Sequence, residues 1–386
     1  MTTDNYALSC EDACVRPISN DRSFTHSKNK SRDVPWRLDR SLFFDSGRGA
    51  LYSLGLALGL GRQSTVLMPD YVPEGIYAPF KSLGVCIDQY SLDLNLDPVW
   101  SELETLLRRS KPSLVVMIHY FGLSKPIDRV CLLAHRYGAL VLEDRAHLMP
   151  VPGRPDSGAH GDFVLYSLPK VIGVPDGAVL ESRTERVALS HLRQGADWRH
   201  SLYITMQLIR LIVSTASKWA RFPRVWWLAE GAIYRCLPSY SLLMNYFKSC
   251  CKMSAISRLL LSAISWEEIV VRRRLLEAIY EESLDRNVFK RFVTSESALN
   301  CKMGFPILVE GDRKGLVDRL RRRGIRGIFF DGGWGYIPAG QQHARSRAIL
   351  KRHFLFPTSP KMTPEEARYV ARVANEWAGE ITKSAK

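Results

Sequence analysis

The 386-residue sequence lacks several features that are typical of membrane, metal-binding and repeat proteins. No uninterrupted apolar run reaches the roughly 20 residues that a membrane-spanning helix needs, so we expect no integral membrane protein. The eight cysteines are not paired at metal-ligand spacings, so we expect no metal site and reduced thiols in a cytosolic protein. No internal repeat or low-complexity tract is present either, which argues against a repeat architecture.

The N-terminal residues 1–40 are polar and lack the apolar core of a signal peptide. We expect them to form a flexible segment or an arm against a partner subunit. A hydrophobic content of 46% and a charged content of 24% are ordinary for a soluble globular protein. The length predicts two domains or one elaborated α/β unit.

Acidic residues are scarce relative to basic ones, 39 against 54, which gives a formal charge of +15 and a pI near 9.5. The arginines are spread along the chain and no known nucleic-acid motif is present, so we expect no nucleic-acid partner. An anionic membrane surface or a phosphate-bearing ligand fits the charge better.

Short apolar runs alternate with amphipathic segments between residues 41 and 181. Six of these runs are predicted strands, at residues 66–68, 85–87, 114–118, 139–142, 163–165 and 178–180. A helix is predicted between two of them, at 126–137. Such alternation predicts a mostly parallel sheet, whose ligands bind at the carboxyl ends of the strands.

The rest of the chain divides into two parts. Residues 201–265 combine apolar, basic and tryptophan residues, as an interfacial helix does. A helical insertion packed on the protein or at a dimer contact is the favoured alternative. The pattern of residues 266–386 predicts a smaller C-terminal domain. It begins with a long helix and contains a strand at 305–309 and a helix at 313–324. Its last helix starts with Thr363 as N-cap, proline next and Glu366 at the third position.

Two polar side chains follow neighbouring predicted strands. Asp144 ends the strand near 140, and Lys170 closes the segment 161–170, which reads as a buried strand running into a turn. A lysine and an acid so placed are what a pyridoxal phosphate enzyme needs. The amine forms a Schiff base, and the carboxylate keeps the pyridine nitrogen protonated. Residues 43–51 add a strand, a small-residue turn and a helix, an arrangement that suits a phosphate.

Together these segments resemble the DegT–DnrJ–StrS family of pyridoxal phosphate enzymes, best known as sugar aminotransferases. The resemblance covers about residues 42–180 and 304–373. The matching segments keep the family's order and spacing: the phosphate turn at 46–51, the aromatic loop at 68–72, the strand end at 119–122, the Glu-Asp-x-Ala-His signature at 143–147, the lysine segment at 161–177, and the C-terminal ending at 356–357 and 363–366.

The resemblance implies a role for each of seven residues. Lys170 would be the Schiff-base lysine and then the base that moves the substrate proton, and Asp144 would pair with the pyridinium nitrogen. The remaining five would bind the cofactor: His147 at the ring hydroxyl, Tyr71 stacked on the ring, and Arg48, Gly49 and Ser167 at the phosphate.

Four features depart from the family pattern. The glycine-rich turn that often follows the lysine is here Gly173-Val174-Pro175-Asp176-Gly177. Arg145 stands where a small residue is usual and is expected to put a bulky cation beside the ring-binding acid. Ser167 and Lys170 are only three residues apart, which is expected to rearrange the phosphate contact. The family's Gly-Asn-Tyr-Arg segment has no clear counterpart.

The fold implied is α/β of fold type I: a large cofactor-binding domain over 41–200 with a mostly parallel sheet, an insertion at 201–265 and a smaller C-terminal α/β domain at 266–386. The function implied is a cytoplasmic, homodimeric aminotransferase in polysaccharide or amino-sugar biosynthesis. It would pass an amino group from an amino acid donor to a keto-sugar or other carbonyl acceptor. Two alternatives stay open: a pyridoxal phosphate lyase on the same fold, and a non-catalytic scaffold protein at the inner membrane face.

Overall fold

In the computed structural model, the residues described are 36–149, 159–187, 194–219, 250–292, 301–330, 335–338 and 340–384, together with residues 34, 189 and 192. The predicted flexible segment at 1–40 therefore lies almost wholly outside the described residues. The strands are β1 Ser41–Phe44, β2 Thr65–Pro69, β3 Val72–Pro73, β4 Cys86–Tyr90, β5 Leu114–Ile118, β6 Leu140–Asp144, β7 Leu148–Met149, β8 Phe163–Ser167, β9 Ala178–Ser182, β10 Phe289–Lys290, β11 Cys301–Lys302, β12 Phe305–Val309, β13 Gly335–Tyr336 and β14 His353–Phe356.

The helices of the described residues follow the same order along the chain. They are α1 Gly47–Ala57, α2 Glu74–Ser82, α3 Trp100–Ser110, α4 Ile127–Arg136, α5 Leu168–Val171, α6 Trp198–Trp219, α7 Ala255–Ser262, α8 Trp266–Ser283, α9 Arg313–Arg322, α10 Ala344–Arg352 and α11 Pro364–Ser384.

The main sheet has seven strands in the order β1-β9-β8-β6-β5-β2-β4. The five strands from β8 to β4 pair in parallel, and β9 and β1 add an antiparallel edge. The prediction of an α/β fold with a mostly parallel sheet is therefore confirmed. All six predicted strands fall in this sheet, because continuous apolar runs are typical of strands buried on both faces.

The helix predicted at 126–137 is α4, which buries Ile127, Val130, Cys131 and Ala134 on one face. Its apolar positions recur three and four residues apart, so they cover the sheet from one side. The hydroxyl of Ser46 caps α1 by accepting a hydrogen bond from the Gly49 N–H at 3.2 Å.

A second, three-stranded antiparallel sheet, β10-β12-β14, carries the C-terminal part of the chain. Helices α8, α9 and α11 cover it with one apolar cluster. The predicted capping box begins α11: the Glu366 N–H donates to Thr363 Oγ1 at 3.2 Å, and the Thr363 N–H donates to Glu366 Oε2 at 2.9 Å. The strand predicted at 305–309 is β12, and α9 ends two residues before Gly324, which has φ +69°.

Helices α6 and α7 belong to the predicted insertion. Its C-terminal end returns to the main sheet, where the Asp45 N–H donates to the Cys251 carbonyl at 3.0 Å and Phe44 forms a bridge with Lys252. Among the helices of the described residues, none combines the length and apolarity needed to cross a bilayer.

Candidate active site

The carboxyl ends of the central strands meet at one edge of the main sheet. Asp144 lies between Ile118 of β5 and Leu165 of β8 in register. On the other side of β8, Ser167 lies opposite Ala178, which in turn lies opposite Phe44 at the end of β1. The turn after β1, the acid at the end of β6 and the lysine turn after β8 therefore come to one edge, where α/β sheets bind ligands.

Lys170 lies on α5, a single helical turn that starts directly after β8. Its Nζ atom is 3.2 Å from Nε2 of His147, a contact between residues 23 positions apart in sequence. Leu168 at the start of this turn donates its N–H to the Gly177 carbonyl at 3.0 Å, and Gly177 donates to the Asp45 carbonyl at 2.9 Å. These backbone bonds connect the lysine turn with the turn after β1.

His147 is held in one tautomer by the backbone beside it. The Phe121 N–H donates to its Nδ1 at 3.2 Å, so the ring proton is on Nε2, the atom that faces Lys170. Burial lowers the pKa of His147 far below its usual value, and the charge of Lys170 lowers it further. The imidazole is therefore neutral, and its Nε2 atom faces the lysine nitrogen.

The backbone next to Phe121 is shaped for this contact. Phe121 has φ +58° and Gly122 has φ +85°. A Cβ atom on Gly122 would lie 2.5 Å from the His147 carbonyl oxygen, so only glycine fits there. This geometry accounts for the glycine of the predicted 119–122 strand end.

Asp144 is buried and accepts a hydrogen bond from the Ala146 N–H at 2.7 Å. Burial raises the pKa of this carboxyl, while the charge of Lys170 and the Ala146 N–H act in the opposite direction. Within the part of the chain that the structure describes, the ion pairs include none to Asp144. A cationic ligand atom beside Asp144 would therefore offset the free-energy cost of burying its charge.

The neighbouring acid, Glu143, is fully paired. Its carboxylate contacts His119 Nε2 at 2.9 Å and Arg145 Nη1 at 3.2 Å, and it accepts from the Gly161 N–H at 3.0 Å. Burial alone would raise the pKa of Glu143, but Arg145 and the hydrogen bonds outweigh it and lower the pKa to about 2. The expectation that Arg145 crowds Asp144 is corrected here: its guanidinium is paired with Glu143, because the side chains of residues 143 and 144 leave β6 on opposite faces.

The predicted phosphate residues lie in two places. Gly49 and Arg48 are in the first turn of α1, where the Gly49 N–H already serves the Ser46 cap and Arg48 lies 4.0 Å from Glu74. Ser167 ends β8 directly before α5. The structure brings these residues to the same sheet edge, and their contact with a phosphate stays a prediction.

Tyr71 is buried and stacks on Tyr120, with ring centroids 5.4 Å apart and an interplanar angle of 5°. A chain of rings leads from it to the lysine: Tyr71 is 6.4 Å from His353, His353 is 5.0 Å from Phe121, and Phe121 is 6.5 Å from His147. The stacking of Tyr71 on a cofactor stays a prediction.

Several residues around the site were missed by the sequence analysis. The C-terminal part contributes Phe330, which stacks on His147 at 5.9 Å, and His353. It also contributes Arg273, whose Nη2 donates to the Val171 carbonyl at 2.7 Å. No local pattern marks these residues, because their role depends on a chain segment at least 100 residues from the lysine.

Asp176 was also missed, although its Pro-Asp-Gly turn ends the lysine segment at 161–177. Its carboxylate accepts from His200 Nε2 at 2.8 Å, from the Ser254 N–H at 2.9 Å and from the Ser254 hydroxyl at 2.6 Å, and also from the Ser257 hydroxyl. It therefore joins the lysine loop to α6 and α7.

Comparison with known proteins identifies the fold. No protein-family model and no curated protein matches the sequence. Solved structures do match. DesV of S. venezuelae in complex with a ketimine intermediate is 17% identical over 88% of this chain and 84% of its own, with a TM-score of 0.59. A DegT DnrJ EryC1 StrS aminotransferase from Brucella abortus is 16% identical over 87% and 85%, with a TM-score of 0.59. DesI in the presence of its TDP-sugar product is 17% identical over 90% and 83%, with a TM-score of 0.62. The chain thus has the fold-type-I architecture of the DegT–DnrJ–EryC1–StrS aminotransferases.

Proposed function

We propose that this protein is a pyridoxal phosphate-dependent aminotransferase. The observation that carries the proposal is the conjunction of Lys170, 3.2 Å from a neutral His147, with a buried Asp144 to which no side chain of the described residues forms an ion pair. A structural lysine needs neither the fixed imidazole tautomer nor a buried acid at the same sheet edge. The similarity in fold to aminotransferases supports the same conclusion.

The residues at this edge fit the cofactor. Asp144 would face the pyridine nitrogen, His147 the ring hydroxyl, and Arg48, Gly49 and Ser167 the phosphate, with Tyr71 against the ring. When bound, the cofactor supplies an aldehyde for covalent bonding to amines and a ring that accepts electrons. The buried carboxyl would keep the ring nitrogen protonated, since a cation removes the cost of burying its charge.

Lys170 would then move a proton at the substrate carbon, in each direction of the amino transfer. Its turn is held by the backbone bonds through Gly177, and His147 Nε2 lies 3.2 Å from its nitrogen. The donor would be an amino acid and the acceptor a keto-sugar or related carbonyl compound in polysaccharide or amino-sugar biosynthesis. The TDP-sugar product in the DesI structure supports a sugar acceptor.

The test is covalent trapping. Purified protein is incubated with pyridoxal phosphate and reduced with borohydride, which makes the bond between a lysine amine and an aldehyde permanent. Peptide mapping is expected to find the added mass at Lys170, and a visible absorbance band should shift when an amino donor is added. Lys361, in an exposed position of the described chain, serves as internal control.

Two variants sharpen the test. Lys170→Ala should remove both the labelled peptide and the band, and Asp144→Asn should weaken the band and slow its response to donors. Protein labelled at other lysines only, or equally in Lys170→Ala, would contradict the proposal. A donor that yields a keto acid and the amino form of the cofactor in equal amounts separates transamination from the alternative lyase reaction.

We further propose a cytoplasmic homodimer that contacts the membrane surface through the insertion. The insertion, residues 201–265, contains eight lysines and arginines and one acid, Glu230. On α6, Trp198, Leu202 and Ile209 are 70%, 40% and 47% exposed. Their spacings of four and eleven residues put them on one face. An apolar stripe on a helix without acids fits an anionic headgroup layer.

Vesicle sedimentation tests the membrane contact. Binding is expected to anionic vesicles and not to neutral ones, and to weaken as salt rises. A Trp198→Ser/Leu202→Ser/Ile209→Ser variant should bind less, while Leu132→Ser, which changes a 67% exposed leucine on α4, should bind like the wild type. No binding to anionic vesicles would rule the contact out, and equal binding to neutral and anionic vesicles would contradict a contact with anionic headgroups. Light scattering of the eluting protein would test the dimer.

A further inference from the structure

Arg273 is a buried arginine of α8 whose guanidinium reaches two parts of the candidate site. Its Nη2 donates to the Val171 carbonyl at 2.7 Å. Its Nη1 donates to the carbonyls of Lys302 at 3.0 Å and Met303 at 3.1 Å, and to Thr358 Oγ1 at 3.1 Å. The side chain is 6% exposed, so these contacts take the place of water at its two Nη atoms.

The acceptor on the first side belongs to the lysine turn. Val171 is the last residue of α5 and follows Lys170 directly. Carbonyls at the end of a helix lack an intrahelical donor, and a cation there is favourable. Arg273 supplies both the donor and the charge at the residue next to the lysine.

The acceptors on the second side belong to the strand beside His147. Lys302 of β11 pairs with Leu148 of β7, and the Met303 N–H donates to the His147 carbonyl at 3.2 Å. One guanidinium therefore joins the backbone of the lysine turn to the backbone that is hydrogen-bonded to His147.

We propose that Arg273 is a positioning residue that sets the approach of Lys170 Nζ to His147 Nε2. It touches neither side chain and acts through the two backbones. An arginine suits this role because its planar fork donates in two directions at once, which an ammonium on a flexible stem does not reproduce. The inference rests on the proposed function of Lys170.

The experiment compares Arg273→Lys and Thr358→Val with the wild type and with Arg272→Lys as the matched control. Arg272 is the preceding residue of α8, is 54% exposed and pairs with Glu268 on the same helix. Thr358→Val removes one acceptor at nearly constant volume. Two rates are measured on full-length protein as a function of pH: pyridoxal phosphate labelling of Lys170 with borohydride, and acetylation of Lys170 by acetic anhydride without cofactor. Lys361 and Lys314 serve as internal standards.

Arg273→Lys is expected to slow cofactor labelling at Lys170 by about tenfold or more, since small misplacements of a reacting group have such effects. It should also move the pH midpoint of acetylation at Lys170 and not at the standards. Thr358→Val should act in the same direction more weakly, and Arg272→Lys should match the wild type. Millimolar guanidinium ion should restore part of the labelling rate in Arg273→Ala.

A purely structural arginine gives a different result. Arg273→Lys would then unfold at lower urea, while its folded form would keep the wild-type labelling rate and acetylation midpoint, and the positioning role would be overturned. Wild-type protein that is never labelled at Lys170 would instead contradict the proposed function. The acetylation midpoints would still decide the positioning role in that case, because they need no cofactor.

Discussion

Glu143 and Asp144 are adjacent in the sequence, but their surroundings shift the pKa values of the two carboxyls in opposite directions. Glu143 is paired with His119 and Arg145, and its pKa is lowered to about 2. Burial raises the pKa of Asp144, whose hydrogen-bond donor is the Ala146 N–H. Neighbouring groups with pKa values pushed apart are typical of sites where one acid is structural and the other takes part in chemistry.

The Glu143→Gln variant should be strongly destabilised. It removes the Glu143 carboxylate from the buried pair with Arg145, and losing one partner of such a pair costs about 3–5 kcal/mol. Urea unfolding at pH 7 measures this loss. Glu268→Gln is the control, because it breaks an exposed pair with Arg272 worth less than about 0.5 kcal/mol.

Acid unfolding gives an independent check on Glu143. A carboxyl whose pKa falls from the ordinary 4.5 to about 2 on folding stabilises the protein above about pH 4.5. That stability, about 3 kcal/mol, is lost as the pH falls through about 2. The free energy of unfolding should therefore decline less steeply with acid in Glu143→Gln. Identical slopes would show that Glu143 is not ionised in the folded protein.

Arg145→Ala tests which acid this arginine serves. Since its guanidinium is paired with Glu143, we expect a lower free energy of unfolding and unchanged cofactor labelling at Lys170 in the folded protein. Both are measured below the unfolding transition of the variant. A changed pH dependence of labelling would mean that the cation acts on Asp144 after all.

Among the elements, the lysine loop is held by the insertion as well as by the sheet. Asp176 follows α5 and accepts hydrogen bonds from His200 of α6 and from Ser254 and Ser257 beside and in α7. Burial opposes its ionisation, but the bonds from His200 and the serines lower the pKa of Asp176. Burial likewise opposes charge on His200, but Asp176 raises its pKa above the usual value. Each partner therefore favours the charged form of the other.

Asp176→Asn should lower the pKa of His200, which NMR titration of the ring measures. The wild-type pair stabilises the fold fully below the ordinary pKa of histidine, and this contribution is lost as the pH rises through the raised pKa of His200. The free energy of unfolding of Asp176→Asn should not show this decline as the pH rises. Amide hydrogen exchange across α5 should become faster. Asp197→Asn is the control, because Asp197 raises the pKa of His200 less than Asp176 does. An unaltered His200 titration in Asp176→Asn would refute this account.

In the whole molecule, one apolar cluster joins the two sheets. The core around the main sheet also contains residues of the C-terminal part: Phe292, Met303, Leu308, Phe330, Ile349 and Leu355. A buried polar clamp adds to it, because Asp70, after β2, accepts from Ser346 of α10 at 2.7 Å and contacts His343 at 2.8 Å. We therefore expect one cooperative unfolding transition, coincident in fluorescence and circular dichroism.

Ser346→Ala should lower the free energy of unfolding of the whole chain by about 1–3 kcal/mol, because it leaves a buried carboxylate oxygen short of a donor. Denaturant unfolding followed by both probes measures it. Ser359→Ala, whose hydroxyl accepts only a 3.3 Å bond from Lys361 in an exposed turn, should change little. Two separate transitions in Ser346→Ala would mean that the sheets are not coupled through this clamp.

Much of this molecule could be predicted from local pattern. The six strands of the main sheet, helix α4 and the capping box of α11 depend on the spacing of apolar and polar residues a few positions apart. The placement of Lys170 and Asp144 at one sheet edge was predictable, because carboxyl ends of parallel strands share an edge, and the roles of these residues and of His147 stay predictions. Arg145 was misjudged, since its partner Glu143 became evident only from the direction of each side chain.

The order of strands and turns, and with it the edge at which a lysine and an acid meet, was determined by the sequence itself, because backbone conformation follows from neighbours along the chain. The tautomer of His147, the burial of Asp144 with no ion pair from the described residues, and the reach of Arg273 to the lysine turn were decided by the tertiary structure alone. These depend on residues more than 20 and up to about 100 positions apart, and burial makes their charges and hydrogen bonds matter.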